Sequence, residues 1–92
     1  MRPLLRSPAF GRELRRWLKR HPDTAATIEA TLEQLSTDAA HPSLRTHKLL
    51  GPLAGCWACS AGYDLRIVFE YTQHEGHEAV LLLALGTHDE VY

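Results

Sequence analysis

Val80 to Leu85 reads VLLLAL, an unbroken apolar run of strand length with Gly86 directly behind it. It is far shorter than the roughly 20 residues that a membrane-spanning helix needs, so it belongs to a protein core. A strand without polar alternation is predicted to be covered on both faces, and so to lie in the middle of a sheet with Gly86 as its stop. The rest of the chain must then supply its neighbours. Whatever follows Gly86 emerges at the edge of the core, and there stand Thr87, His88, Asp89, Glu90 and Tyr92.

The neighbours can be read in order. Arg2 to Arg6 is a short apolar segment that can pair as a strand, with Pro3 confining it to an edge or to the strand's first position. Ser7 before Pro8 is a helix start, and Phe10, Leu14, Trp17 and Leu18 recur at helical spacing with Arg12, Arg15, Arg16 and Lys19 elsewhere on the wheel. His21 before Pro22 ends this helix. Pro22 opens a second, with an apolar stripe of Ala25, Ile28, Leu32 and Leu35 running to about Ser36. The short link predicts an antiparallel helical hairpin.

Thr37 to Ser43 reads as loop and Leu44 to Leu50 as a short extended segment closed by Gly51-Pro52. Cys56 to Ala61 suits a strand. Asp64 to Tyr71 alternates, with Leu65, Ile67, Phe69 and Tyr71 on one face and Asp64, Arg66, Val68 and Glu70 on the other. Gln73 to His77 is a hairpin turn into the final strand. The expected fold is α+β, ordered β-α-α-β-β-β, with the helical hairpin packed on a mainly antiparallel sheet. Ninety-two residues suit a single domain, 1–92.

The formal net charge of -1 conceals an asymmetry. Residues 1 to 20 hold seven Lys or Arg against Glu13, a balance of +6, while residues 21 to 44 hold four carboxylates and no Lys or Arg. A basic first helix can dock on phosphates or on an acidic protein, or simply face water. Only Pro3, Leu4 and Leu5 separate Arg2 from Arg6, which is no secretory signal, and a cytoplasmic location without membrane attachment is the default expectation.

Several motifs invite chemistry. Cys56-x-x-Cys59 suggests zinc or redox function, but on a strand these positions face opposite ways and a second ligand pair is missing. Two reduced cysteines are expected, and neither a metal nor a cofactor. His74 and His77 sit in a turn, and His21 and His41 precede prolines in connectors. His47 and His88 differ, because each stands near the end of an element among other polar groups: Arg45 and Lys48 beside the first, Asp64 and Arg66 on the strand neighbouring the second. RNA cleavage by its own 2'-hydroxyl needs a base, an acid for the leaving oxygen and a cation for the charge on phosphorus. Histidine can fill either proton role because it titrates near neutrality. The plain alternative is a set of scattered surface residues.

The element order, together with His47-Lys48-Leu49, Gly55-Cys56-Trp57, Asp64-Leu65-Arg66-Ile67-Val68-Phe69 and Leu85-Gly86-Thr87-His88, resembles the RelE/ParE toxin superfamily, and within it the YafQ-like mRNA interferases. The resemblance extends over nearly the whole chain. It implies a toxin of a type II toxin-antitoxin system: an endoribonuclease, independent of metal, that cuts mRNA on the ribosome and is silenced by a cognate antitoxin. By this resemblance His47, Asp64 and His88 match catalytic positions, Arg66 a phosphate-stabilising strand arginine, and Tyr92 a terminal aromatic that packs on RNA, with Arg45 and Lys48 as further RNA contacts. Two positions depart from the YafQ pattern, since Ser60 replaces a histidine and Ala84 an arginine, which leaves the division of acid and base roles open. The alternatives are a ParE-like gyrase inhibitor that cuts no RNA, disfavoured by the presence of both His47 and His88, and an inactive relic that only binds antitoxin.

Overall fold

Ser7 joins the first strand to the first helix and ties both to the last strand. The computed structural model describes residues 1–62 and 64–91. Strand β1 (Leu4–Arg6) runs parallel to β5 (His77–Thr87), pairing Leu4 with Val80 and Arg6 with Leu82. At Ser7 the chain turns into helix α1 (Pro8–Arg20): the Ser7 hydroxyl caps it by accepting from the Phe10 amide at 3.1 Å, and Pro8 fills the first turn. The same hydroxyl donates to the Leu83 carbonyl at 3.2 Å, and the Ser7 amide donates to the Leu82 carbonyl.

Beyond Leu82 strand β5 would expose unpaired backbone along this edge. Helix α1 lies there instead, and the Glu13 carboxylate accepts from the Leu85 amide at 3.0 Å. A three-residue strand, one hydroxyl and one carboxylate thus share the edge of a strand eleven residues long.

The helical hairpin is as expected. A 3-10 turn at Pro22–Thr24 leads into α2 (Ala25–Thr37), and the Trp17 indole donates to the Thr24 hydroxyl at 2.9 Å across the turn. Phe10, Leu14, Ile28, Leu32 and Leu35 are buried against Leu65, Ile67, Phe69, Val80, Leu82 and Leu85 of the sheet. Each such side chain stabilises the fold by roughly 1.5–3 kcal/mol when fully buried. Ala25, expected in the stripe, is exposed.

The described residues form one sheet in the order β1-β5-β4-β3-β2, with β2 at His47–Lys48, β3 at Trp57–Ser60 and β4 at Leu65–His74. All pairs except β1 with β5 are antiparallel. The middle position belongs to β4, and β5 is interior beside it. The β4–β5 hairpin turns at Glu75-Gly76, both at positive φ, as a tight primed turn requires.

Against expectation β5 is therefore not the middle of the sheet, and two further expectations for it need correction. The strand does not stop at Gly86 but continues to Thr87, and its apolar run is not fully covered on both faces: Val80, Leu82 and Leu85 are buried in the core, while Leu81, Leu83 and Ala84 are half-buried. A bulge explains the pattern. Phe69 pairs with Leu82 and Val68 with Ala84, so Leu83 is the extra residue and the alternation restarts with Leu85 facing the core. The segment 44–50 is also less extended than expected, since Pro42–Leu44 forms a 3-10 turn and only His47–Lys48 pairs as strand. Buried Leu44 anchors the turn, because it cannot reach the core and stay in an extended edge.

Replacing Glu13 with Ala leaves the Leu85 amide without its carboxylate acceptor, at an expected cost of about 1–3 kcal/mol. Urea unfolding monitored by Trp fluorescence measures this, and an unchanged midpoint would show that water serves the amide equally well.

Candidate active site

The register divides the site residues between two faces of the sheet. Residues directly opposite on neighbouring strands project to the same side. One row runs Lys48–Trp57–Phe69–Leu82 and faces the helices, as buried Phe69 and Leu82 show. The next runs His47–Ala58–Val68–Ala84 on the opposite face, followed by Ser60–Arg66–Gly86 on that same face. His47 and Arg66 therefore share a face, their Cα atoms on the order of 12 Å apart, from two strand spacings of about 4.8 Å and two residues of rise at about 3.4 Å each. Lys48 projects the other way, with its ammonium 5.4 Å from the centre of the Trp57 ring. Adjacent strand residues cannot serve one face, so the register separates Lys48 from His47.

Arg45 shapes the approach to His47. Its backbone is left-handed at φ 52 and ψ 40, and its carbonyl lies 3.0 Å from His47 Nδ1. A carbonyl only accepts, so Nδ1 carries the proton and Nε2 is the basic nitrogen of the neutral ring. Thr46 steadies the bend by donating from its hydroxyl to the Ala39 carbonyl at 2.7 Å.

Two hollows border this bend. One, of about 990 Å³, is lined by Arg45, Ser60, Asp64 and Arg66 together with the Ala26, Thr27, Ala30 and Thr31 side of α2. Asp64 is, like Arg45, a non-glycine residue at positive φ, here 60°. Left-handed backbone at two residues of one hollow is the kind of strain that gathers at functional sites. The Arg66 guanidinium donates to the Leu65 carbonyl at 3.3 Å. The other hollow, about 470 Å³, is lined by His47, Leu49, Leu50, Pro52, Leu53 and Val91.

Val91 belongs to an element that the chain's pattern did not suggest. Residues His88–Val91 form a short helix, α3, which folds back over the end of β5. Glu90 accepts from the Thr87 amide at 2.9 Å, the returning half of a capping box, and Thr87-x-x-Glu90 was the available signal. Gly86 permits the approach, since a Cβ there would lie 3.1 Å from the Glu90 Cβ and 3.2 Å from Val91 Cγ1. His88 begins α3, with its Nδ1 3.6 Å from the Asp89 carboxylate. Thus Arg45, Asp64 and Arg66 meet around one hollow, His47 lines the other, and His88 stands on the helix whose Val91 reaches the second. Tyr92 lies outside the described residues.

The substituted positions have clear locations. Ser60 is opposite Arg66, and Ala84 closes the row that starts at His47. The face between His47 and β5 is therefore Ala58, Val68 and Ala84, without a charge. Cys59 is buried in the core, where desolvation pushes its thiol up to about 12 despite the nearby Arg66, and Cys56 is half-buried; both are free. Among the described residues no group of three or more His, Cys, Asp or Glu side chains could hold a metal.

Neither a protein-family model nor a curated protein sequence matches the chain. Solved structures do. YafQ from E. coli strain BL21(DE3) superposes with a TM-score of 0.81 over 100% of this chain and 99% of its own, at 16% identity. A metal-bound toxin from Helicobacter pylori gives 0.80 over 100% of both chains at 25% identity, and a YoeB/ParE toxin from Agrobacterium tumefaciens gives 0.77 at 13%, covering 94% of this chain and 98% of that one. YafQ in the E. coli DinJ-YafQ toxin-antitoxin complex gives 0.78 at 17%, over 99% and 97%. The chain has the RelE/YafQ-like toxin fold.

Two outcomes test this geometry. The hydrogen bonds from Thr87, followed by Arg20 and Arg16, hold the Glu90 carboxyl below its ordinary value. A depressed carboxylate contributes its stabilisation above the unfolded value and loses it as pH falls through the folded one, so acidification below the usual carboxylate range should release α3. NMR titration of the Thr87 amide will follow this, and the transition should vanish in Glu90→Gln. Separately, iodoacetamide at neutral pH should label Cys56 and spare Cys59 until the protein is denatured, as read by mass spectrometry.

Proposed function

We propose that this protein is the toxin of a type II toxin-antitoxin system, an endoribonuclease that cleaves mRNA on the ribosome and is restrained by a cognate antitoxin. The observation that carries the reading is the whole-chain likeness to toxin structures, YafQ in complex with DinJ among them. The shared face of His47 and Arg66 supports the chemistry. Nε2 of His47, the basic nitrogen when Nδ1–H is held by the Arg45 carbonyl, takes the proton of the 2'-hydroxyl. The 2'-oxygen then bonds to phosphorus as the bond to the 5'-oxygen breaks, leaving a 2',3'-cyclic phosphate and a 5'-hydroxyl. Arg66 stabilises the charge on the phosphoryl oxygens, and Arg45 holds a neighbouring phosphate. His88 supplies the proton to the leaving oxygen, with Asp64 orienting the groups around Arg66. The mechanism needs no metal or cofactor.

Primer extension on a message translated in vitro with the purified protein tests this. Cleavage should appear with the native chain, fall by about 10²–10⁴-fold in His47→Ala and by about 10²–10³-fold in Arg66→Ala. Undiminished cleavage in both variants would remove the assignment. Intact message together with DNA damage on expression would favour the gyrase reading, for which the likeness to a YoeB/ParE toxin is the motive.

A further inference from the structure

Seven cations stand in the first twenty residues, and the structure accounts for two of them. Arg2 pairs with Glu78 and lies over the Tyr71 ring, and Arg6 lies over Phe10. The other five, Arg12, Arg15, Arg16, Lys19 and Arg20, are exposed on α1. Among the described residues none of them is in an ion pair. Glu13, the one carboxylate of the helix, is engaged with the Leu85 amide and does not neutralise them. Lys19 and Arg20 suit the last turn, where the helix dipole favours cations. Arg12, Arg15 and Arg16 have no such reason to be there, and the i,i+4 pairs Arg12–Arg16, Arg15–Lys19 and Arg16–Arg20 repel one another. An external polyanion would relieve that repulsion.

Helix α1 runs along the strand that leads into α3, since Glu13 of α1 accepts from the Leu85 amide three residues before His88. The Glu90 carboxylate on α3 feels Arg20 and Arg16, besides its bonds to Thr87. The large apolar residues of α1 turn inward: Phe10 and Leu14 are buried, and Trp17 and Leu18 pack against the core. The ridge therefore offers charge in rows about 6 Å apart along the axis but no apolar anchor. Protein partners are held chiefly by buried aromatic and apolar anchors, whereas a phosphate backbone requires only spaced cations.

We propose that the outer ridge of α1, the row Arg12–Arg16–Arg20 flanked by Arg15 and Lys19, binds the phosphate backbone of RNA running on from the candidate site past α3. This rests on the nuclease reading for the identity of the polyanion. The ridge binds phosphates without reading sequence, so its contribution is affinity and salt dependence rather than codon choice.

The test uses a fluorescein-labelled single-stranded RNA with 2'-O-methyl sugars, which cannot be cleaved, and measures anisotropy across a potassium chloride series. Arg12→Gln/Arg16→Gln should bind at least tenfold more weakly at low salt, with a slope of log affinity against log salt shallower by about 1.4, roughly 0.7 for each lost phosphate contact. Both changes are at exposed positions and remove repulsive pairs, so the circular dichroism melting temperature should be no lower than that of the native chain. Equal affinity and slope in the variant would overturn the proposal. So would poly-glutamate binding as tightly as the RNA with the same dependence on Arg12 and Arg16, since the ridge would then be a docking face for an acidic protein. RNA binding through the ridge without cleavage by the native chain would count against the nuclease reading alone, and cleavage with ridge-independent binding against the ridge alone.

Discussion

The structure depends on how the free edge of β5 is satisfied. Strand β1 covers only Val80 to Leu82, and beyond it the backbone of Leu83 and Leu85 is met by the Ser7 hydroxyl and the Glu13 carboxylate. These bonds fix helix α1 along the sheet as well as across it. With α1 so placed, Phe10 and Leu14 reach the core and the arginines are left on the outer surface. One carboxylate thus sets the packing of the helix and leaves its outer face uncompensated.

At the other end of β5 a bulge and a glycine determine where the site lies. The extra residue Leu83 restarts the alternation, so Ala84 and Gly86 share the open face with His47 and Arg66. Gly86 leaves room for Glu90 and Val91, and α3 closes over the end of the sheet. Without the bulge, positions 84 and 86 would face the helices and α3 would have no flat surface to cross. The left-handed Arg45 does the corresponding work on the opposite edge, turning its carbonyl to hold the His47 ring.

Much of this was legible in the chain. The caps and spacing of the two helices, the alternation of Leu65 to Tyr71 and the hairpin turn are local properties, set by side-chain volume, backbone preference and period. The roles suggested for His47, Asp64, Arg66 and His88 rested on residue type and on resemblance. Their assembly was less visible. Lys48, adjacent to His47, projects to the other side because consecutive strand residues alternate, and a two-residue strand is too short for its period to be read in advance. Thr87-x-x-Glu90 carried a capping signal, but a four-residue helix has no apolar stripe to announce it.

By itself the sequence determined the inventory: an apolar strand ending near polar residues, an amphipathic basic helix, and an α+β order, since each follows from interactions within a few residues. Only the tertiary structure decided that β4 rather than the apolar run is the middle of the sheet, that the run is half-open on one face, and that Glu13 serves the Leu85 amide. Those outcomes depend on strand register and on partners far apart in the chain, seventy-two residues for Glu13 and Leu85, and no local preference encodes such a pairing.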